Sequence, residues 1–186
     1  MIAVAGLFVG GRAVRMGGTP KGLLQAPEGG TLVERWLGLL EELGIPAVLV
    51  GDARPYAHLR LPALEDEPAG IGPLGGLVAL LRHAGTRTVL ALACDMPFVS
   101  RELLERLLVA PHDAPIVAPR RDLRWEPLFA RYDPVRVLPL AVARAASDYH
   151  SLQGLLDQVG AAELPLLPHE VAQLRDWDCP DDVTAS

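Results

Sequence analysis

Apolar residues in the first half of the chain occur either in short unbroken runs or at helical spacing. Residues 2–9 and 88–94 are nearly continuous apolar runs, which is typical of strands buried on both faces of a parallel sheet. Further strands are predicted at 47–50 and, more weakly, at 61–64. Helical spacing predicts three helices, at 32–43 with Gly44 at its carboxyl end, at 74–81, and at 100–108 with Ser100 as its N-cap.

The pattern in the second half is less regular. Two strands are predicted, at 116–118 and 128–132, on either side of a charged loop at 120–126. Helices are predicted at 134–144 and 152–159, and a short strand at 164–167. The stretch 171–177 is interpreted as a strand end that opens a truncated last helix.

The alternation of strands and helices predicts an α/β fold with a mostly parallel sheet. Neither a repeat nor a linker interrupts the chain, so we expect a single domain over residues 1–186. Crossovers between parallel strands are right-handed, and the loops that follow the strands therefore gather at one edge of the sheet. Open α/β sheets bind their ligands at that edge.

Charge and composition exclude several classes of function. The 23 acidic residues outnumber the 17 basic ones, which gives a net charge of −6 and disfavours a nucleic-acid partner. No apolar run reaches the ~18 residues of a membrane span, and two cysteines are too few for a disulfide framework. We therefore expect a cytoplasmic protein. The chain has no asparagine, and its basic residues are sixteen arginines and one lysine, Lys21.

A glycine-rich segment, Gly-Gly-Arg-Ala-Val-Arg-Met-Gly-Gly-Thr-Pro-Lys, follows the first strand at residues 10–21. It is neither a dinucleotide-binding fingerprint nor a P-loop, because Lys21 is followed by Gly22 instead of Ser or Thr. Two cations, Arg15 and Lys21, on a loop hinged by glycine suit a triphosphate. A flexible surface loop with solvated arginines is the alternative.

Three other segments carry candidate chemistry. Asp95, in Cys-Asp-Met-Pro at the end of a predicted strand, is able to hold Mg²⁺ or simply to form a turn. Gly72, Pro73 and Leu74 precede a predicted helix and are equally typical of a plain helix start. The acidic segment 176–182 offers Asp178 as a second carboxylate or as a helix N-cap.

The glycine-rich segment resembles the signature of the molybdenum cofactor guanylyltransferases, Leu-Ala-Gly-Gly-x-Ser-x-Arg-Met-Gly followed by a lysine. The matching residues are Gly10, Gly11, Arg15, Met16, Gly17 and Lys21. Phe8 and Val9 replace the Leu-Ala pair, and Ala13-Val14 stand where the family often has a small polar residue. The Cys-Asp-x-Pro segment at Asp95 also matches the family, and the resemblance extends to about residue 182.

The resemblance implies a three-layer α/β/α, Rossmann-like nucleotidyltransferase fold that transfers GMP from GTP to the phosphate of molybdenum-carrying molybdopterin. It implies catalytic roles for Arg15, Lys21 and Asp95, with Mg²⁺ on Asp95 and Asp178. The residues that it implies for nucleotide binding are Phe8, Val9, Gly10, Gly11, Arg15, Met16, Gly17, Lys21, Asp66, Gly72, Pro73, Leu74 and Asp95. The implied partners are GTP, the molybdopterin cofactor, molybdenum-insertion proteins, and the apo-molybdoenzymes or chaperones that receive the product.

Other functions stay open at this point. A cytidylyltransferase, or a guanylyltransferase with another phosphorylated acceptor, fits the same motifs. Gly10-Gly11 and the Gly-Pro-Leu at 72–74 favour guanine, because the cytidylyl relatives tend to have Leu-Ala-Ala-Gly in the first loop. A non-catalytic nucleotide- or cofactor-binding protein on this fold is the alternative of another class. Glu126 also departs from the His or Gln that the family has before Pro127-Leu128.

Overall fold

A computed structural model describes residues 3–10, 19–110 and 113–177 of the chain. The strands are β1 (Ala3–Phe8), β2 (Ala47–Val50), β3 (Ala63–Leu64), β4 (Thr88–Ala93), β5 (Ile116–Ala118), β6 (Arg120–Arg121), β7 (Arg124–Trp125), β8 (Phe129–Tyr132) and β9 (Ala162–Glu163). The α-helices are α1 (Leu32–Glu42), α2 (Pro73–Ala84), α3 (Arg101–Val109), α4 (Pro134–Ala145) and α5 (Leu152–Val159). Both the α/β class and most of the predicted elements are confirmed.

Seven of these strands form one sheet in the order β3-β2-β1-β4-β8-β5-β9. β1 pairs in parallel with β2 and β4, β2 with β3, and β5 with β9. The antiparallel strand is β8, which runs opposite to both of its neighbours, β4 and β5. The carboxyl ends of β1, β2 and β4 therefore meet the amino end of β8 at one edge of the sheet.

Helices cover both faces of the sheet, which confirms the expected three layers. Alternate residues of β1 enter different cores: Ala5 and Leu7 pack with α1 and α3, and Val4 and Phe8 pack with α2, α4 and α5. This alternation explains the unbroken apolar run at the start of the chain, since both faces of the strand are buried. None of the helices in the described ranges has the length and apolarity needed to cross a membrane.

Local signals in the sequence account for several helix ends. Thr31 accepts a hydrogen bond from the amide of Glu34, whose carboxylate accepts one from the amide of Thr31, so α1 begins with a capping box. Gly44 follows α1 at φ +64°, as its position at the end of the helical pattern predicted. Ser100 caps α3 by accepting from the amide of Leu103.

Two predictions for the last part of the chain are wrong. The strand expected at 164–167 lies instead at Ala162–Glu163, because Pro165 has no amide hydrogen with which to continue the ladder. The strand expected within 171–177 is a 3₁₀ turn at Val171–Leu174, outside the sheet. Glu170 stabilises this region by pairing with Arg106 and accepting from the amide of Leu167 at 2.7 Å.

The charged loop expected at 120–126 contains a hairpin, β6–β7, that the pattern did not predict. Its turn residues, Asp122 and Leu123, have φ values of +49° and +64°. Such turns are usually recognised by Asn-Gly or Asp-Gly, and here Leu123 stands where the glycine is expected. The sequence therefore lacks the usual signal for a hairpin turn at this position.

Candidate active site

A cavity of about 360 Å³ opens at the edge of the sheet where β1, β2 and β4 end. Parallel α/β sheets bind ligands at this edge, and the volume lies in the usual range of small-molecule sites. The residues that line it are Phe8, Val9, Gly10, Lys21, Val50, Gly51, Asp66, Gly72, Pro73, Ala93, Cys94, Asp95 and Leu128. Eight residues of the predicted site lie in this lining.

Lys21 and Asp95 meet in the cavity wall. The Nζ atom of Lys21 donates to Oδ2 of Asp95 at 2.7 Å, although the two residues are 74 positions apart in the sequence. Their side chains are only 20% and 18% exposed. The pair therefore places a cation and a carboxylate, both partly shielded from water, side by side in a cavity of ligand size.

The backbone around Asp95 is held from both sides. The Cys94 amide donates to the carbonyl of Phe8 at 3.3 Å, and the Asp95 carbonyl accepts from the amide of Trp177 at 2.9 Å. Burial and the neighbouring Asp95 carboxylate raise the pKa of the Cys94 thiol to about 12. Cys94 is therefore a packed, protonated thiol and not a nucleophile.

Glycines let the ends of β1 and β2 approach each other beneath the cavity. Gly51 has a φ of +100°, and a Cβ built on it would lie 3.0 Å from the Cα of Gly10. The amide of Gly51 also donates to the carbonyl of Leu64 at 2.9 Å, which holds the strand ends together. A side chain at either glycine would fill the floor of the cavity.

The start of α2 packs closely against the segment that carries Asp66. A Cβ on Gly75 would lie 2.4 Å from the carbonyl oxygen of Pro68, and one on Gly76 would lie 3.1 Å from Oδ1 of Asp66. Gly72, at φ +72°, opens the helix just before Pro73. Burial raises the pKa of Asp66, so this half-buried carboxylate faces the cavity at a cost in solvation.

A second charged cluster lies beside the cavity on the β8 side. Arg121 of the hairpin donates from Nε to Glu126 Oε1 at 2.9 Å and from Nη2 to Asp176 Oδ1 at 3.2 Å. Burial raises the pKa of Glu126, and the Arg121 charge opposes this. The cluster adjoins two lining residues, because Glu126 is two residues from Leu128 and Asp176 precedes Trp177, whose amide donates to the carbonyl of Asp95.

The structure brings most of the predicted residues together and leaves a few aside. Leu74 is fully buried in the core that α2 shares with the sheet and does not line the cavity. Gly11, Arg15, Met16, Gly17 and Asp178 lie outside the described residues. The amide of Trp177, the residue before Asp178, donates a hydrogen bond to the carbonyl of Asp95.

The cavity is also lined by five residues that were not predicted for the site, Val50, Gly51, Ala93, Cys94 and Leu128. The end of β2 was predictable, because parallel neighbours end at one edge of a sheet. Leu128 was not, since it enters the cavity from the beginning of an antiparallel strand. The pairing of Arg121 with Asp176 joins positions 55 residues apart and left no local signal.

The donor set of the cavity is compatible with Mg²⁺. Its carboxylates in the described lining are Asp66 and Asp95, and no group of three or more His, Cys, Asp or Glu able to hold a metal occurs within residues 3–10, 19–110 and 113–177. Mg²⁺ takes one or two carboxylates and fills its other positions with water and substrate phosphates. The two carboxylates of this cavity of about 360 Å³ fit that preference.

Comparison with known proteins gives one consistent result. A family model described as MobA-like NTP transferase domain matches residues 5–163. A molybdenum cofactor guanylyltransferase of Pseudomonas putida is 37% identical over 159 residues, which cover 81% of this chain and 80% of the relative. A probable molybdenum cofactor guanylyltransferase of Pelotomaculum thermopropionicum is 33% identical over 68% of this chain and 61% of the relative.

Solved structures extend the likeness to the whole fold. Molybdopterin-guanine dinucleotide biosynthesis protein A of Archaeoglobus fulgidus superposes with a TM-score of 0.78 and 25% identity, covering 97% of this chain and 95% of that one. The 2-C-methyl-D-erythritol 4-phosphate cytidylyltransferase of Thermus thermophilus superposes with a TM-score of 0.67 at 20% identity over 98% and 96% of the two chains. The second likeness concerns the fold alone.

Proposed function

The chain belongs to the MobA-like NTP transferase family of nucleotidyltransferases, and on this premise we propose that it is a molybdenum cofactor guanylyltransferase. An oxygen of the molybdopterin phosphate attacks the α-phosphorus of GTP. A new phosphoanhydride bond forms as the bond to the pyrophosphate breaks, and pyrophosphate leaves with the bonding electron pair. The observation that carries this proposal is the pair of Lys21 and Asp95 in a cavity of nucleotide size.

The chemistry requires positioning and charge neutralisation more than proton transfer. The attacking group is already an anion, so no general base is needed. We assign Lys21, together with Arg15 of the glycine-rich loop, to the triphosphate, where cations stabilise the charge that gathers on the leaving pyrophosphate. Asp95, with Asp178 as a second carboxylate, would hold Mg²⁺, which when bound supplies further neutralisation of the phosphates.

We assign the nucleoside to the opposite wall of the cavity. Asp66 is half-buried and faces the cavity, where hydroxyl or N–H donors of the nucleoside would compensate its lost hydration. Gly10 and Gly51 leave room at the floor, and Gly72-Pro73 form the rim. Leu74 supports this wall from the core and is not a contact.

We place the acceptor on the side of Asp95 and Leu128. The nucleoside wall is on the far side of the cavity, so this is the direction from which an oxygen reaches the α-phosphorus. The charged cluster of Arg121, Glu126 and Asp176 borders this side. The proposed partners are therefore GTP and the molybdopterin phosphate, which we place on opposite sides of the Asp95 carboxylate.

Thermal unfolding with each nucleotide tests the base that the site accepts. GTP with Mg²⁺ is expected to raise the melting temperature more than CTP, ATP or UTP do. At a hundred times its dissociation constant a ligand adds about 2.7 kcal/mol, which for a chain of this length is roughly 5–10 °C. A shift with CTP and none with GTP would contradict the guanylyl assignment. Release of pyrophosphate from GTP only when the acceptor is present tests the transfer itself.

A further inference from the structure

Trp177 is buried in a small cluster apart from the two main cores. Its side chain is 2% exposed and packs with Ala26 and Leu32, and the partly buried Leu24 and Phe98 lie against the same group. The rings of Phe98 and Trp177 meet edge to face, with centroids 6.0 Å apart and planes at 81°. This cluster fixes the end of the described chain beneath the cavity.

One side of the cluster supports the turn that carries Lys21. Lys21–Leu23 form a 3₁₀ turn, and the amide of Leu24 donates to the carbonyl of Lys21 at 3.0 Å. The carbonyl of Leu24 accepts from the amide of Leu32 at 3.0 Å, so the turn is tied to the start of α1. The turn that carries Lys21 is therefore held in part through Leu24, which packs against the Trp177 cluster.

The other side of the cluster supports Asp95. Phe98 lies three residues after Asp95, and its ring contacts Trp177. The amide of Trp177 donates to the carbonyl of Asp95 at 2.9 Å. Trp177 thus holds the Asp95 segment through one backbone bond and one ring contact.

The nature of these contacts defines what Trp177 contributes. The indole Nε1 is buried with no hydrogen-bond partner among the described residues, so the side chain acts through its apolar volume and not through its donor. Phenylalanine would retain most of that volume, whereas alanine would leave a cavity under both turns. Substitution by phenylalanine or alanine therefore separates the contribution of the apolar volume of Trp177 from that of its indole N–H group.

We propose that Trp177 is a positioning residue for the transfer reaction, which sets the distance between Lys21 and Asp95. The segments that follow Lys21 and Asp95 both pack against the cluster that contains Trp177, and a displacement of about 1 Å in such a site costs on the order of 100-fold in rate. The expected effect of Trp177 on the rate of transfer rests on the proposed function. Its expected effect on the Lys21–Asp95 contact is independent of that function.

Because Lys21 is the only lysine of the chain, amine acylation reports on this contact directly. The full chain is treated with N-acetoxysuccinimide, and the rate of acetylation at Lys21 is read by mass spectrometry. Asp95→Asn, which weakens the contact, is the positive control and is expected to label at least about fivefold faster than the parent. We expect Trp177→Ala to label equally fast and Trp177→Phe to stay within about twofold of the parent.

Leu155→Ala is the matched control for lost packing. Leu155 is fully buried in α5 and does not line the cavity, so its variant is expected to melt lower and label at the parent rate. Trp177→Leu, a milder change than alanine, supplies a folded variant if Trp177→Ala does not fold. Labelling at the parent rate in folded Trp177→Ala or Trp177→Leu would overturn the proposal.

Kinetics supply the second readout. Trp177→Ala is expected to lower kcat for GMP transfer at least about tenfold while KM for GTP changes less than about threefold, and Trp177→Phe is expected to restore kcat. In a Lys21→Ala background, Trp177→Ala is expected to have little further effect, because both changes act through one group. If the two substitutions lowered kcat independently, so that their effects multiplied in the double variant, Trp177 would not act through Lys21. Absence of any GMP transfer by the parent chain would refute the proposed function, and the labelling result would still decide the contact.

Discussion

Lys21 donates to Asp95 at 2.7 Å, across 74 residues of sequence and inside the cavity that lies at the carboxyl ends of β1, β2 and β4. The pair brings together the end of the glycine-rich segment and the Cys-Asp-Met-Pro turn, the two segments in which the sequence carried the strongest signals. It also means that the carboxylate assigned to a metal is already bonded to the cation assigned to the phosphates. Both groups would have to exchange partners when a nucleotide and its metal bind.

Lys21→Ala is expected to reduce kcat by at least about 100-fold, as the loss of one charge-stabilising donor does in other sites. Its effect on the free energy of unfolding is expected to be about 1–3 kcal/mol, because the partly buried Asp95 carboxylate loses its cation but still opens onto the cavity. Lys21→Arg is also expected to be poor, since a planar guanidinium does not replace a compact ammonium in a tight turn. Pyrophosphate release and thermal unfolding measure the two effects. Near-normal turnover in both variants would remove Lys21 from the reaction.

Lys21→Gln is expected to bind divalent metal more tightly than the parent does when nucleotide is absent. The ammonium group repels a second cation from the same carboxylate, and at an effective dielectric of about 20 unit charges 4 Å apart interact by about 4 kcal/mol. Titration with Mn²⁺, followed by electron paramagnetic resonance, is expected to show at least about tenfold tighter binding. Asp95→Asn in the same background should abolish the gain. Equal affinity in parent and variant would mean that Lys21 and the metal do not compete.

Asp66→Asn is expected to weaken GTP binding about tenfold or more at neutral pH, because it removes a charged hydrogen-bond acceptor. Burial raises the pKa of Asp66 in the folded protein, so the folded state favours the protonated form and the ionised form opposes folding. The parent should therefore gain stability relative to the variant as the pH falls through the raised pKa. The variant should melt higher than the parent at neutral pH, with the difference vanishing in acid.

The same shift predicts the pH dependence of binding. GTP affinity of the parent is expected to fall on acidification at a higher pH than an ordinary aspartate would cause, whereas Asp66→Asn should lack this step. Calorimetric titration from neutral to acidic pH measures both. A variant that melts lower than the parent at neutral pH would contradict the solvation cost inferred for Asp66.

Asp95→Asn is expected to abolish transfer with the fold retained, and Asp178→Asn to weaken the Mg²⁺ dependence without abolishing activity. Both expectations follow from the metal role proposed for these carboxylates. Mg²⁺ titration of the rate, together with circular dichroism of each variant, measures them. If Asp178→Asn only lowers stability by about 1 kcal/mol, with the Mg²⁺ titration unchanged, Asp178 is a helix cap.

Gly76→Ala is expected to destabilise the protein by about 1–3 kcal/mol and to weaken nucleotide binding. Its Cβ would lie 2.7 Å from Val50 and 3.0 Å from Phe8, which are both lining residues. Gly38→Ala is the matched control, because the Cβ at this exposed position of α1 would meet nothing within 4 Å. That variant should gain about 0.5–1 kcal/mol. Denaturant unfolding compares the two, and similar losses in both would contradict the packing argument.

The sequence allowed the parallel half of the fold to be predicted because its signals are local. Doubly buried strands have continuous apolar runs, and helices such as α1 and α3 begin at recognisable caps. Right-handed crossovers then gather the loops that follow these strands at one edge of the sheet. The resemblance to the molybdenum cofactor guanylyltransferases allowed Lys21, Asp66 and Asp95 to be assigned to one site before their distances were known.

The rest depends on contacts between distant segments. The hairpin turn has a leucine, Leu123, at a positive φ that leucine rarely adopts. The hairpin is held by hydrogen bonds from Arg121 to Glu126 and Asp176. The short strand β9 is defined by its pairing with β5 and not by an apolar pattern of its own. Trp177 gave no sign of its position, since a single tryptophan near the end of a chain has no periodicity.

The reversal of β8 has an evolutionary consequence. The nucleotide side of the cavity is built from loops that follow strands in the first hundred residues. The β8 side reaches the same edge through residues 126–128, which precede a strand. Mutations that change the hairpin and its flanks therefore leave the crossovers of the first half intact. With the acceptor on the β8 side, as proposed, a change of acceptor would require substitutions only in the hairpin and its flanks. The nucleotide specificity and the acceptor specificity of such a scaffold would then evolve separately.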